Sequence, residues 1–510
     1  MSDQREIVEQ LRKTLQLLDA GSNVRSNNEP GEKAWKEIHP SFEKLEEYSK
    51  DYIEFTYENP TTYHLIEYFA HELEKAGFEY LSEKESWGER VKNSSNRKFY
   101  TSRNGTNLSA FIVGKKWEPS KGVGAIGAHA DALTVKLKPS SLKDHVEGFD
   151  LLGVAPYGGT LNNLWFDRDL GIGGRVLYRE APNGSIKSKL INSAPQPIAK
   201  IPSLAPHFGS PAEGPFDKED QAVPVVGYVS DDTPGPDAND IEKSSPLYGK
   251  HCLNFLRYVA KLAGLKVCQL VQLDLDLFDV QKGVIGGIKD DFLFAPRLDD
   301  RLCSYASMRA LLESSADLDV DSMDTFVNVT LFDNEEIGSL SRQGARGGLF
   351  ESVVGRVTAS LQGNSVDMRA LFANSITLSA DVNHMFNPNF REVYMKNHSP
   401  KPNVGITLSL DPNVHMATDV VGTAFVEDLA RSNGDKVQYF QIKNNSRSGG
   451  TIGPFIAAQT GARTVDLGIA QMAMHSIRAT TGSRDIGLGV KFFRNFLQNW
   501  RPVYDKFGDL

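Results

Sequence analysis

From Val123 to the C terminus, short apolar runs alternate with amphipathic helical ones, and this limits the folds open to the chain. Residues 123–128, 326–332, 376–380, 406–410 and 464–467 read as strands. Residues 252–263, 301–312 and 420–430 read as helices. Runs this short and this apolar fit strands buried on both faces. Strands alternating with helices predict an α/β fold with a mostly parallel sheet covered by helices. Upstream, Tyr63, Ile66, Phe69, Leu73 and Ala76 recur at helical spacing and stop at Gly77, and the folded body is expected to begin near Tyr48.

Two segments break this texture. Residues 137–284 are rich in Gly and Pro and hold only short apolar runs, such as Val176-Leu177-Tyr178. They predict a β-rich domain inserted between residues 46–136 and 285–510. Residues 1–45 form the other exception. Val8, Leu11, Leu15 and Leu18 give an a/d stripe, Asp3 can cap the helix and Gly21 can stop it. Residues 19–33 then have linker composition, with Pro30, Gly31 and three asparagines. An apolar stripe on a flexible tether is expected to associate with copies of itself or with a receptor.

Composition excludes several classes. Lys plus Arg is 56 against 65 for Asp plus Glu, a net charge of -9, which speaks against a nucleic-acid binder. No apolar run approaches the ~18 residues of a transmembrane segment. The polar start Met1-Ser2-Asp3-Gln4-Arg5-Glu6 predicts no secretory signal. Three cysteines make no disulfide framework, so synthesis in the cytoplasm is expected.

The chemistry concentrates just beyond the expected strands. His129-Ala130-Asp131, Glu335-Glu336, Asp381 and His475 each follow one, and Asp299-Asp300 precede a helix. In an open parallel sheet, ligands bind beyond the carboxyl ends of the strands. Histidine and carboxylate together suit zinc, and this inventory is large for one ion. Two metals ~3.5–4 Å apart need a bridging carboxylate and separate terminal ligands. Asp299 can bridge, His129 and Asp381 can complete one ion, and Glu336 and His475 the other. Glu335 is then free to take a proton from water, and Asp131 can hold the second nitrogen of His129. His384 and His415 lie near strand ends, where they can touch a substrate. Gly171 to Gly174 and Gly286-Gly287 are followed by no Lys-Ser/Thr, so neither is a phosphate loop. Cys303 reads as core.

The segments His129-Ala-Asp131-Ala, Arg297-Leu-Asp299-Asp300, Asp333-Asn-Glu335-Glu336-Ile-Gly-Ser, Leu378-Ser-Ala-Asp381-Val-Asn-His384 and Met474-His475-Ser-Ile-Arg478 resemble those of one zinc aminopeptidase family. It is the family of aspartyl and vacuolar aminopeptidases. Trp165-Phe-Asp167-Arg168-Asp169 and Ser448 to Pro454 fit it too, and the likeness runs from about Asp51 to the C terminus. The resemblance implies an exopeptidase with two Zn2+ per subunit, held by the five ligands above, and Glu335 as general base. It implies that the insertion is a dimerisation domain and that dimers build a dodecamer. It implies that His207 acts in the neighbouring subunit's site, and that Ser448, Gly449, Gly450, His384 and Val404 face the substrate. Where acid-preferring members carry a lysine, this chain has Val404, which favours neutral or apolar N-terminal residues such as Leu. The N-terminal segment resembles a propeptide that drives self-association and binds a selective-autophagy receptor, with delivery from cytoplasm to vacuole. Two other readings stand beside this one. Another dinuclear hydrolase, a carboxypeptidase or deacylase, would demand a different free end on its substrate. A self-assembling scaffold would carry a vestigial site.

Because the stripe is tethered away from the body, removing residues 1–20 should leave the implied peptidase activity and the melting temperature intact in vitro. Leu11→Asp or Leu15→Asp should likewise abolish only self-association, read by light scattering. A large loss of activity on deletion would mean that the helix packs on the catalytic body.

Overall fold

A nine-stranded mixed sheet forms the centre of the chain. Its spatial order is Glu79–Tyr80, Lys98–Arg103, Asn107–Val113, Phe326–Phe332, Gly124–His129, Ile376–Ala380, Arg463–Gly468, Thr407–Ser409 and Gln438–Phe440. These coordinates are a computed structural model and describe residues 42–181, 184–230 and 237–510. The amphipathic stripe and linker expected before residue 42 lie outside the described residues. Leu45–Leu510 form one compact unit.

The four strands at the sheet's centre, from Phe326–Phe332 across to Arg463–Gly468, are mutually parallel. Asn107–Val113 and Thr407–Ser409 flank them antiparallel, which makes the sheet mixed. Alternation of strand and helix along the sequence specifies the parallel centre, because a parallel neighbour needs a crossover. It does not specify the flanks.

Side-chain alternation divides the sheet's residues between two cores. Ala110, Ile112, Ile126, Val327 and Val329 are buried with Leu302, Tyr305, Phe493 and Trp500, which lie on the helices Leu298–Asp317 and Asp485–Tyr504. Phe111, Val113, Ala125 and Phe326 are buried with Val353, Val354 and Val357 of the helix Leu349–Gln362. Both faces are therefore covered, which is why these strands read as continuous apolar runs.

A second sheet is wholly antiparallel. Its order is Ile186–Asn192, Leu170–Arg179, Leu270–Asp279, Thr134–Leu142, Phe149–Tyr157 and Val225–Tyr228. It has its own core, in which Ile172, Val176 and Leu275 pack with Leu256 and Val259 of the helix Leu253–Ala263. The glycine run from Gly171 has a packing cause. Gly174 has φ +135, and a Cβ there would stand 2.3 Å from the Asp274 carbonyl oxygen. A small third sheet pairs Phe292–Ala295 with Val284–Gly286 and Ala479–Gly482, and it delivers the chain to Arg297 and Asp299. Among the described residues no helix is long and apolar enough to cross a membrane.

Gly124 opens the central strand against Trp500, whose side chain is fully buried. A Cβ on Gly124 would meet the indole Nε1 at 2.4 Å. Gly124→Ala should cost ~1–3 kcal/mol through overpacking. A fall in denaturant midpoint at unchanged m-value would show it, and an unchanged midpoint would mean that the indole relocates freely.

Candidate active site

The carboxyl ends of the parallel strands carry the groups expected there. His129 is the last residue of Gly124–His129 and stands in register with Phe332. Asp333 and Asn334 follow Phe332 and lead into the short turn Glu335–Ile337. Asp381 directly follows Ile376–Ala380. His475 lies in the loop between Ala470–Gln471 and Ala479–Gly482. Asp299 and Asp300 begin the helix Leu298–Asp317 with non-helical backbone angles. Arg297, Asn334 and His475 have φ of 57, 61 and 66, so three left-handed residues without glycine's freedom surround the site. Such backbone is kept where the surroundings over-determine it, and functional sites are the usual place.

Asp299 lies between the two histidines. His129 Nε2 is 3.2 Å from its Oδ1, and His475 Nε2 is 3.3 Å from its Oδ2. The terminal carboxylates divide in the same way. Asp381 Oδ1 is 3.6 Å from His129 Nε2, and Glu336 Oε2 is 3.6 Å from His475 Nε2. Glu335 Oε2 stands further off, 3.9 Å from His129 Nε2. His129 is buried, whereas the His475 side chain is 54% exposed, so His475 marks the mouth.

Asp131 has a different task. It is buried, and its carboxylate accepts hydrogen bonds from the Glu335 and Glu336 backbone N–H groups at 3.1 and 3.2 Å. The Tyr157 hydroxyl donates to it at 2.8 Å, and the same hydroxyl accepts from the Asn334 amide at 2.8 Å. His129 Nδ1 is 3.1 Å from the Asp131 carbonyl oxygen and 3.3 Å from its Oδ1. One carboxylate therefore orients the first histidine and the turn that carries both glutamates. Asp300 holds the strand end instead, accepting from the His129 N–H at 3.3 Å. Ser304 donates to the His129 carbonyl oxygen at 2.5 Å.

Charge is badly balanced in this pocket. Burial pushes Glu335 up to about 8; His129 opposes the shift, while Asp381, Asp131 and Asp299 reinforce it. Burial, then the Asp299 charge, drives Glu336 well above the carboxylate range. Burial also raises Asp381. Asp299 is the exception, since the hydrogen bonds from His129 and His475 outweigh its burial and hold it below the ordinary range. Burial alone would lower His129, but Asp131, Asp299 and Asp381 together raise it well above normal. Carboxylates this close resist ionising together unless cations join them. The donors are imidazole nitrogen and carboxylate oxygen, the set that zinc takes. His129, Asp299 and Glu336 each offer one ligand atom, all within 4.8 Å of one another, and so do His129, Asp300 and Asp381. Glu336 Oε1 is buried with no hydrogen-bond partner. The residues present fit a metal centre.

The remaining expected positions lie apart. His384 is exposed beside the Phe440 ring, near enough for Asp299 and His475 to act on it electrostatically. Ser448 is half-buried, Gly449 and Gly450 face open space, and Val404 is half-buried. His415 pairs with Asp411 at 2.5 Å. His207 sits on the exposed turn Pro206–Phe208 and shares none of the ion pairs described for the cluster. Cys303 is fully buried. Tyr157 went unremarked in the sequence, where a tyrosine ending a strand carries no chemical signal.

Comparison with known proteins identifies the family. The aminopeptidase I zinc metalloprotease (M18) family model matches residues 55–497. Vacuolar aminopeptidase 1 of Saccharomyces cerevisiae is 62% identical over 518 residues, covering 100% of each chain. The crystal structure of prApe1 has a TM-score of 0.89 and 64% identity, covering 94% of this chain and 100% of that one. The S. cerevisiae mApe1 dodecamer structure has a TM-score of 0.84 and 59% identity, covering 92% and 100%. The chain belongs to the M18 family of zinc metalloproteases and is a metalloaminopeptidase.

Proposed function

We propose that this chain is a two-zinc aminopeptidase that removes neutral or apolar N-terminal residues from peptides in the vacuole. It is made in the cytoplasm as a precursor whose residues 1–45 drive assembly and receptor-mediated delivery. The observation that carries the reading is the placement of Asp299 between His129 and His475, with Asp381 and Glu336 beside one histidine each.

Asp299, His129 and Asp381 would hold one zinc, and Asp299, Glu336 and His475 the other. Bound there, zinc would supply Lewis-acid polarisation of the peptide carbonyl and would lower the pKa of water towards ~7. Glu335 makes none of the closest ion pairs, which suits a proton carrier rather than a ligand. It takes the proton from the attacking water and gives it to the leaving amine. Asp131 fixes where Glu335 stands through that residue's own N–H. Val404 offers no cation to an acidic side chain, which favours Leu over Asp at the N terminus.

The antiparallel sheet of residues 134–279 serves as the dimerisation domain in this reading, and dimers build a dodecamer like that of the S. cerevisiae relative. Leu204 and Phe208 bracket His207 and are 41% and 65% exposed, which suits a loop that inserts into another subunit.

Zinc content measured together with hydrolysis of Leu- and Asp-amides tests the whole reading. Strict dependence on a free substrate carboxylate would favour a carboxypeptidase instead. Glu335→Gln should keep both metals and lose ~10²–10⁴-fold in turnover. Loss of zinc in that variant would show that the two glutamates are assigned the wrong way round. Asp299→Asn should instead weaken both metal sites together, seen by elemental analysis.

His207 donating a hydrogen bond across the subunit boundary should be worth ~10²–10³ in rate. Mixing His207→Ala with Glu335→Gln subunits should restore one working site in each hybrid dimer. No recovery in verified hybrids would exclude action in trans.

A further inference from the structure

Beside the cluster lies a cavity whose walls include Asp299, Glu336 and His475 together with Trp165, Leu277 and Ile477. Gln471 also lines it. This residue is only 1% exposed, yet neither its Oε1 nor its Nε2 has a hydrogen-bond partner within the protein. Its backbone is fully committed to the fold: it pairs with His384 in the short parallel ladder, and its carbonyl oxygen accepts from the Met385 N–H at 2.8 Å. Residues in register on paired strands project to the same face. Gln471 therefore shares the face of His384, which already feels the charges of Asp299 and His475.

A buried carboxamide with neither group satisfied is costly. Native structures nearly always pair such groups. Nothing in the fold gains from it, since an apolar side chain of the same volume would suit walls of Trp165, Leu277 and Ile477 better. What it offers is one donor and one acceptor, without charge, beside the reacting centre. That is the complement of a peptide group, which presents one acceptor and one donor. An exopeptidase acting on many sequences can rely only on main-chain groups beyond the first residue.

We propose that Gln471 is a substrate-binding residue whose carboxamide pairs with the peptide group following the scissile bond, the adjoining apolar walls receiving that residue's side chain. This rests on the aminopeptidase reading and names the part of the substrate that the site grips. The contact is present before and during reaction, so its loss should raise KM and leave kcat nearly unchanged.

The test uses the full-length protein, two substrates and two variants. Leu-Gly-Gly has a peptide group beyond the scissile bond; Leu-p-nitroanilide has none. Gln471→Leu and the unbranched Gln471→Met should each lose ~10–100-fold in kcat/KM on Leu-Gly-Gly, through KM. On Leu-p-nitroanilide they should stay within about twofold of the parent, with the melting temperature unchanged or raised. Equal loss on both substrates, no loss on either, or a lowered melting temperature in both variants would overturn the assignment. If the parent protein hydrolyses neither substrate, the aminopeptidase reading itself fails, which is a separate result.

Discussion

The structure depends on one electrostatic constraint: carboxylates from four separate segments are held together, largely out of water, with the imidazoles of His129 and His475 among them. Ionised carboxyl groups at such spacing repel strongly in a low-dielectric pocket. The fold therefore has to hold each group by something other than its charge. It does so through backbone. Asp300 and Ser304 clamp the N–H and the carbonyl of His129, and Asp131 receives the N–H groups of Glu335 and Glu336. The helix Leu298–Asp317 is fixed in turn by Arg301, whose fully buried guanidinium donates to the carbonyl oxygens of Asn59 and Pro60. The positions of these groups are thus set by backbone hydrogen bonds, the preorganisation that a metal hydrolase needs.

How much of this was legible in the sequence varies with the physics behind each feature. The strands at 326–332 and 376–380 coincide with those observed, because burial on both faces leaves an unbroken apolar run that nothing else explains. Convergence of His129, Asp299, Glu335, Glu336, Asp381 and His475 was also readable, since topology sends the ends of parallel strands to one edge. Residues 406–410 read as a strand and Thr407–Ser409 is one, but the direction of the flanking strands was not readable. Thr407–Ser409 is three residues long, and its antiparallel pairing with Arg463–Gly468 follows from tertiary packing alone. Asp131 was expected to hold the His129 ring, and its larger engagement is with the glutamate turn, 204 residues away in sequence. Contacts of that span leave no periodicity to read. Tyr157 and Gln471 escaped for a related reason: each is an ordinary strand residue until its neighbours are known.

The position of the antiparallel sheet follows from the same site. The chain leaves the central sheet directly after His129 and re-enters it only at Phe326, so His129 and Asp299, 3.2 Å apart, bracket the whole second sheet. An insertion at a strand's carboxyl end leaves the central sheet's hydrogen bonding untouched, because the loop there was already at the surface. It also places the inserted residues at the rim of the site by construction. Tyr157 closes one strand of the second sheet and reaches Asp131, and Trp165 lines the cavity beside Glu336. The second sheet is therefore mechanically joined to the glutamate turn. Any surface by which that sheet meets another copy of the chain is then one rigid layer away from the reacting atoms.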